Sequence, residues 1–223
     1  MVSSVPLIAW DDIDTVLLDM DGTLLDLNYD NVLWNDHLPK RYATHHGVTL
    51  PAARERLHRH IVDTRHTIDH YCLDYWTRFT QLDMVALHRE LMHLIRYRPR
   101  AETFLERLRG SGRFAVLVTN AHRDGLDIKD EQTGLTQRLE RTFSSHDFRA
   151  PKESQEFWQR LNAALSFDPR RTLFIDDNAA VLGAAQQHGI AHLMTVTQPD
   201  SERPPRTGLV HAAFNDFAEI MPS

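Results

Sequence analysis

The chain has 223 residues, 42% hydrophobic and 25% charged, with a formal net charge of −6. That is enough for one good-sized domain, or a core with a smaller insert, and it lacks the basic surface that nucleic-acid polymers or anionic membranes select. A lone cysteine, Cys72, excludes an internal disulfide framework and fits a reducing compartment. MVSSVPLIAW at the start has no basic region and too short an apolar run for a signal peptide. No segment approaches the roughly 18 apolar residues of a membrane helix, so a cytoplasmic protein without a membrane partner is expected.

The first predicted strand, Thr15 to Leu18, stops abruptly in Asp19-Met20-Asp21-Gly22-Thr23. A buried strand that ends in acidic residues delivers them to the carboxyl edge of a sheet, where open α/β folds place their ligand crevice. In extended backbone, residues i and i+2 point the same way, so Asp19 and Asp21 are expected to face one pocket. Two such close carboxylates repel unless a cation or proton settles them, which points to a hard metal ion and an anionic ligand.

The next strand signal is Phe114 to Val118, ending in Thr119-Asn120, about 100 residues later. A βαβ crossover needs only about 30. The surplus, residues 27–98, reads as a helical insertion without a convincing strand, carried by Ala52 to Tyr75 and Leu82 to Tyr97. Beyond it, helical spacing marks Ala101 to Arg109, Ser154 to Leu165 and Ala179 to Gln187. Strand-length apolar runs mark Thr172 to Ile175, ending in Asp176-Asp177-Asn178, then His192 to Val196, with a weaker one at Arg141 to Ser145. The alternation predicts an α/β, Rossmann-like doubly wound parallel sheet from residues 1–26 and 99–223, interrupted by the insertion.

The strand-end motifs resemble those of the haloacid dehalogenase superfamily, and the insertion resembles the α-helical cap of a large subgroup of it, a lid over the active site. The resemblance implies that Asp19 is the nucleophile of an aspartyl-phosphate mechanism and Asp21 the acid/base. The dehalogenases that name the superfamily lack a carboxylate at the place of Asp21, so its presence favours phosphate chemistry. Thr119 and Asn120 resemble the phosphate-binding second motif. Lys152 in Pro151-Lys152, one of only three lysines with Lys40 and Lys129, resembles the third. Asp176 and Asp177 resemble the fourth, completing a Mg²⁺ site with Asp19 and the backbone carbonyl of Asp21. Related strand ends suggest Asp177 as the direct ligand, with Asp176 behind it.

Segments of both core and cap narrow the resemblance. DTVLLDMDGTLLDLNYDN, YCLDYW and RTLFIDDN, with VTQPDS further on, are similar to the purine 5'-nucleotidases of this superfamily that act on GMP and IMP. The implied substrate is a small purine ribonucleoside 5'-monophosphate. A sugar-phosphate phosphatase or phosphomutase on the same core is the alternative. Tyr71, Tyr75 and Trp76 lie in one helical region and either stack a base or pack the cap itself. Arg65 and Asp69 read as a helix-stabilising i, i+4 pair, and His58, His60, His66 and His70 as ordinary helix histidines. His122 is expected at the cleft rim without an assigned role. The proline-bearing tail from Gln198 to Arg206 reads either as a loop near the cap or as a surface connector.

Overall fold

A computed structural model describes residues 7–222; most of the N-terminal stretch used above to argue against a signal peptide lies outside the described residues. Among the described residues, six strands form one parallel sheet in the order β3-β2-β1-β4-β5-β6. In chain order they are β1 (Thr15–Leu18), β2 (Phe114–Thr119), β3 (Arg141–Ser144), β4 (Thr172–Ile175), β5 (His192–Val196) and β6 (Ala212–Phe214). The first five stand where the apolar runs predict them. β6 has only three residues, two of them alanine, too short to leave a periodic signal.

The helices are α1 (Asn28–Val32), α2 (Leu38–His46), α3 (Leu50–Thr64), α4 (Leu73–Thr80), α5 (Met84–Glu90), α6 (Ala101–Gly110), α7 (Arg123–Thr133), α8 (Ser145–Phe148), α9 (Gln155–Leu165) and α10 (Ala179–His188). None among the described residues is long and apolar enough to cross a membrane. Every residue of β1 and β4 is buried, as expected of central parallel strands covered on both faces. Alternate β1 residues serve opposite layers. Val16 and Leu18 pack with Phe104, Leu105 and Leu108 of α6, whereas Leu17 packs with Phe157, Trp158 and Leu161 of α9 and with Val181 and Leu182 of α10.

Helices α1 to α5 fall between two antiparallel connecting segments. Asp26 N–H donates to the Arg96 carbonyl and Arg98 N–H to that of Leu24. Leu33, Leu38, Tyr42, Ala53, Leu57, Leu73, Trp76, Met84 and Leu87 give this segment an apolar core of its own. The continuous helix expected over Ala52 to Tyr75 is instead broken. α3 ends at Thr64, whose hydroxyl bonds back to the His60 carbonyl, and His66 is left-handed at φ 63°. A single 3-10 turn then covers Ile68–Tyr71 before α4 begins. Arg65 and Asp69, and likewise His66 and His70, therefore do not share a helix face. Similarly, α5 replaces the longer helix expected over Leu82 to Tyr97, and Ile95 is already extended.

Candidate active site

Strand register assembles the site. Leu18 sits beside Leu117 of β2 and Ile175 of β4. One residue further on, Asp19, Val118 and Asp176 emerge side by side at the carboxyl edge. Asp19, Asp176 and Asp177 each offer a carboxylate oxygen within 4.8 Å of the others. Gly22 turns the chain at φ 83°, and a Cβ there would lie 2.8 Å from Asp177 Cγ, so glycine is what lets the first loop approach the fourth motif.

Lys152 holds this floor together. It is 2% exposed, and its Nζ donates to Asp19 Oδ1 at 2.5 Å, to Asp176 Oδ2 at 2.7 Å and to the Val118 carbonyl at 3.0 Å. Its backbone is pinned too: its N–H donates to Asn120 Oδ1, and its carbonyl accepts from Trp158 Nε1. Burial alone would lower the lysine pKa, but the Asp176 and Asp19 carboxylates hold it above its ordinary value. Burial pushes Asp19 up, as it does Asp176 and Asp177, and the mutual repulsion of the carboxylates adds to it. Both Asp176 oxygens are engaged, one by Lys152 and one by the Asn178 N–H. The Asp177 carboxylate accepts no hydrogen bond among the described residues, and its nearest cation is Arg206 at 3.8 Å.

Asp21 takes a different partner. Lys129 Nζ, 2% exposed, donates to Asp21 Oδ1 at 2.6 Å and to both oxygens of Asp30 at 2.9 and 3.0 Å. Lys129 comes from α7 and Asp30 from α1, so this cluster crosses from the sheet domain to the helical segment. Sequence patterning misses it. α7 reads Arg-Asp-Gly-Leu-Asp-Ile-Lys-Asp-Glu-Gln-Thr, with too few apolar positions to mark a helix. The available signal was the scarcity of lysine.

Thr119 is 1% exposed, and its Oγ1 accepts from the Ala121 N–H, leaving the hydroxyl proton to donate. The Asn120 side chain is committed elsewhere: Oδ1 accepts from Lys152 N–H and Nδ2 donates to Glu153. What Asn120 retains for an anion is its backbone. Glu153 also accepts from Tyr71 Oη at 2.6 Å, a second link to the helical segment.

Above the floor lies a cavity of about 370 Å³ that includes Asp19, Asp21, Thr119, Asn120, Lys152, Asp176 and Asp177 in its wall. Its roof is aromatic and apolar: Trp34, Ile61, Tyr71, Leu73 and Trp76, with Asn35, His70 and His88 as polar groups. Trp34 and Asn35 lie in a π-type turn over Leu33–His37, and such turns re-aim side chains within a helix. Of the three aromatics singled out in sequence, Tyr71 and Trp76 reach the cavity. Tyr75 instead stacks on His60, which also stacks on Phe79. The tail from Gln198 to Arg206 lies against the connecting segments: Asp26 accepts from Ser201 N–H, Asn31 donates to Asp200, and Arg206 donates to the carbonyls of Asp177 and Val196.

Comparison with known proteins matches this arrangement to a family. Residues 13–189 match the model of the haloacid dehalogenase-like hydrolases. The chain is 43% identical over 216 residues to the GMP/IMP nucleotidase YrfG of Escherichia coli (strain K12) and to that of Shigella flexneri, covering 97% of both chains in each case. Among solved structures it is similar to a HAD phosphatase from Thermococcus onnurineus (TM-score 0.77, 20% identity, 93% of this chain and 96% of that one). A predicted phosphoglycolate phosphatase from Haemophilus somnus aligns at TM-score 0.69 and 16% identity, over 94% and 96% of the two chains. These two share its fold. The chain therefore belongs to the haloacid dehalogenase-like hydrolases and is an enzyme of that family.

Proposed function

We propose that the enzyme hydrolyses purine ribonucleoside 5'-monophosphates, GMP and IMP, to nucleoside and phosphate, with residues 27–98 acting as its cap. The observation that carries this reading is the 43% identity to GMP/IMP nucleotidases over 97% of the chain, because that span includes the whole cap. The cavity supports it: a charged floor suits a phosphate and a flat aromatic roof suits a base.

In the proposed reaction an Asp19 carboxylate oxygen attacks phosphorus while Asp21 gives its proton to the departing 5'-oxygen, so that a P–O bond forms as the ester P–O bond breaks. Water then attacks the aspartyl-phosphate. Asp21 takes the proton, the Asp19–phosphorus bond breaks and phosphate leaves. Lys152 holds Asp19 in place and offers positive charge beside it, and the Thr119 hydroxyl and the Asn120 backbone steady the phosphoryl oxygens.

The donor set fits Mg²⁺. Five carboxylates, Asp19, Asp21, Asp30, Asp176 and Asp177, line a cavity with only two lysine ammonium groups. The Asp21 carbonyl accepts no hydrogen bond among the described residues. Asp19, Asp177 and that carbonyl would hold the ion, with Asp176 fixed behind them by Lys152. When bound, it supplies positive charge to the phosphoryl oxygens.

Phosphate release across nucleoside 5'-monophosphates and sugar phosphates, with Mg²⁺ and with chelator, tests this reading. Release from IMP and GMP, lost on chelation and in Asp19→Asn, is the expected result. Release from a sugar phosphate alone, or isomer formation from one, would overturn the purine assignment and leave the floor chemistry standing.

A further inference from the structure

A second group of metal-ligating atoms converges away from the carboxylate floor. The Cys72 sulfur and one ring nitrogen each of His122 and His146 lie within 4.8 Å of one another. The three residues come from separate segments. Cys72 immediately precedes α4 in the cap, His122 caps the start of α7 after β2, and His146 lies in α8 after β3. The trio therefore spans the seam between cap and core.

One of the two imidazoles already offers a nitrogen without a partner among the described residues. His146 Nε2 is buried without a hydrogen-bond partner. The Tyr71 carbonyl faces the same ring and favours a proton on it. His122 Nδ1 accepts from the Asp124 N–H at 3.4 Å and lies 3.3 Å from the same residue's carboxylate, and its Nε2 lies 3.9 Å from Asp74. A metal on Nε2 would move the ring proton to Nδ1 and exchange that bond for one to the Asp124 carboxylate, the usual support of a metal-bound histidine. The rings meet edge to face, with centroids 4.8 Å apart.

One thiolate, two neutral imidazoles and a carboxylate or water make a tetrahedral set for a borderline cation, and a poor one for Mg²⁺. Zn–S and Zn–N bond lengths place such donor atoms about 3.3–3.6 Å apart, so small side-chain rotations would close the present cluster around an ion.

We propose that Cys72, His122 and His146 form a second metal site, selective for a borderline divalent cation such as Zn²⁺ or Co²⁺, that bonds the cap to the core. Asp74, exposed and adjacent, is the protein's candidate fourth ligand. His122 also lines the catalytic cavity, so occupancy holds the cap at one position over the floor and slows turnover.

The test is a Co²⁺ titration of the full-length protein in excess Mg²⁺. The expected result is a near-ultraviolet sulfur-to-cobalt charge-transfer band that saturates at one Co²⁺ per chain, disappears in Cys72→Ser and needs about tenfold or more Co²⁺ in His146→Ala. Cobalt bound to Asp19, Asp176 and Asp177 has no sulfur ligand and cannot give this band. No band in the folded wild type, or one that His146→Ala leaves unchanged, overturns the site. The effect on turnover rests on the nucleotidase reading and is measured separately, as Zn²⁺ inhibition of phosphate release from IMP. Inhibition in wild type and not in Cys72→Ser supports the cap–core bond, and equal inhibition of both overturns it. A wild type that releases no phosphate from IMP even without Zn²⁺ would sink the nucleotidase reading, while the cobalt spectrum would still decide the site.

Discussion

The two buried lysines mark two regions built on different principles. Lys152 lies wholly within the sheet domain, among strand ends whose register is fixed by backbone pairing, and its three acceptors all come from that domain. Lys129 lies on the seam, with one carboxylate from the sheet domain and one from the helical segment. The floor inherits its geometry from a close-packed sheet of low compressibility, which moves little. The seam is joined by side-chain links between residues far apart in the chain: Asp30–Lys129–Asp21, Tyr71–Glu153–Asn120 and Arg96–Asp26. A fold that separates rigid chemistry from a re-dockable roof is suited to a lid that closes over each substrate. Both of the deeper seam links end on residues proposed to act on the phosphate, Asp21 and Asn120.

Breaking the floor has the largest expected effect. Lys152→Met keeps the shape of the side chain and removes its charge, leaving Asp19 and Asp176 facing each other without a cation. A preorganised charge at the reacting group is worth about 10²–10³-fold in kcat, and orphaning buried carboxylates costs about 3–5 kcal/mol of stability. Phosphate release and urea unfolding, measured together at saturating Mg²⁺, check both effects. Activity within a few-fold of wild type in a folded variant would show that Lys152 does not position Asp19.

Breaking the seam is expected to do less, and selectively. If Lys129 aligns Asp21 as the acid, Lys129→Met forfeits part of the roughly 10²–10⁴-fold that a positioned acid contributes. The deficit falls on leaving groups that need a proton. Single-turnover release of inosine from IMP drops by about tenfold or more, whereas first-turnover release of p-nitrophenol from p-nitrophenyl phosphate, a much better leaving group, falls far less. Equal losses on the two substrates would assign Lys129 a structural role only. Asp30→Asn shifts the same ratio in the same direction by a smaller factor, because Lys129 remains bonded to Asp21.

The sheet and its strand-end residues were legible in sequence because both signals are local: Val16-Leu17-Leu18 and Leu173-Phe174-Ile175 are uninterrupted apolar runs, each ending in acidic residues. The parallel sheet predicted from that alternation is the one found. The seam was not legible, because its contacts join residues far apart in the chain, such as Lys129 with Asp21 and Asp30, through helices of weak pattern. α7 carries the second buried lysine on a segment with few apolar positions. The helices of the inserted segment were misjudged in length for a related reason. A left-handed residue at His66 and a hydroxyl bonding back to its own helix at Thr64 end α3 without any glycine or proline to announce it. Cys72, His122 and His146 are equally invisible as a group, since no spacing in the chain relates them.

The smallest effect separates the roof from the floor by pH. His88 on α5 lines the cavity, its Nδ1 lies 2.8 Å from Tyr29 Oη, and burial lowers its pKa from 6.5 to about 3. Between those values the unfolded chain binds a proton that the folded chain does not, so this residue's contribution to stability is complete above pH 6.5 and falls on acidification. The slope is at most about 1.4 kcal/mol per pH unit. The floor has the opposite sign. Asp19 and Asp177, raised from 3.8 to about 7, bind protons more readily when folded, so their burial costs stability as pH rises through that window. His88→Gln keeps a partner for Tyr29 and removes the titration, and the floor's contribution cancels in the difference between variant and wild type. Urea midpoints at pH 7 and pH 5 should therefore fall further on acidification in wild type than in His88→Gln. Parallel shifts would mean that water reaches His88 in the folded protein and that the roof opens without unfolding the sheet.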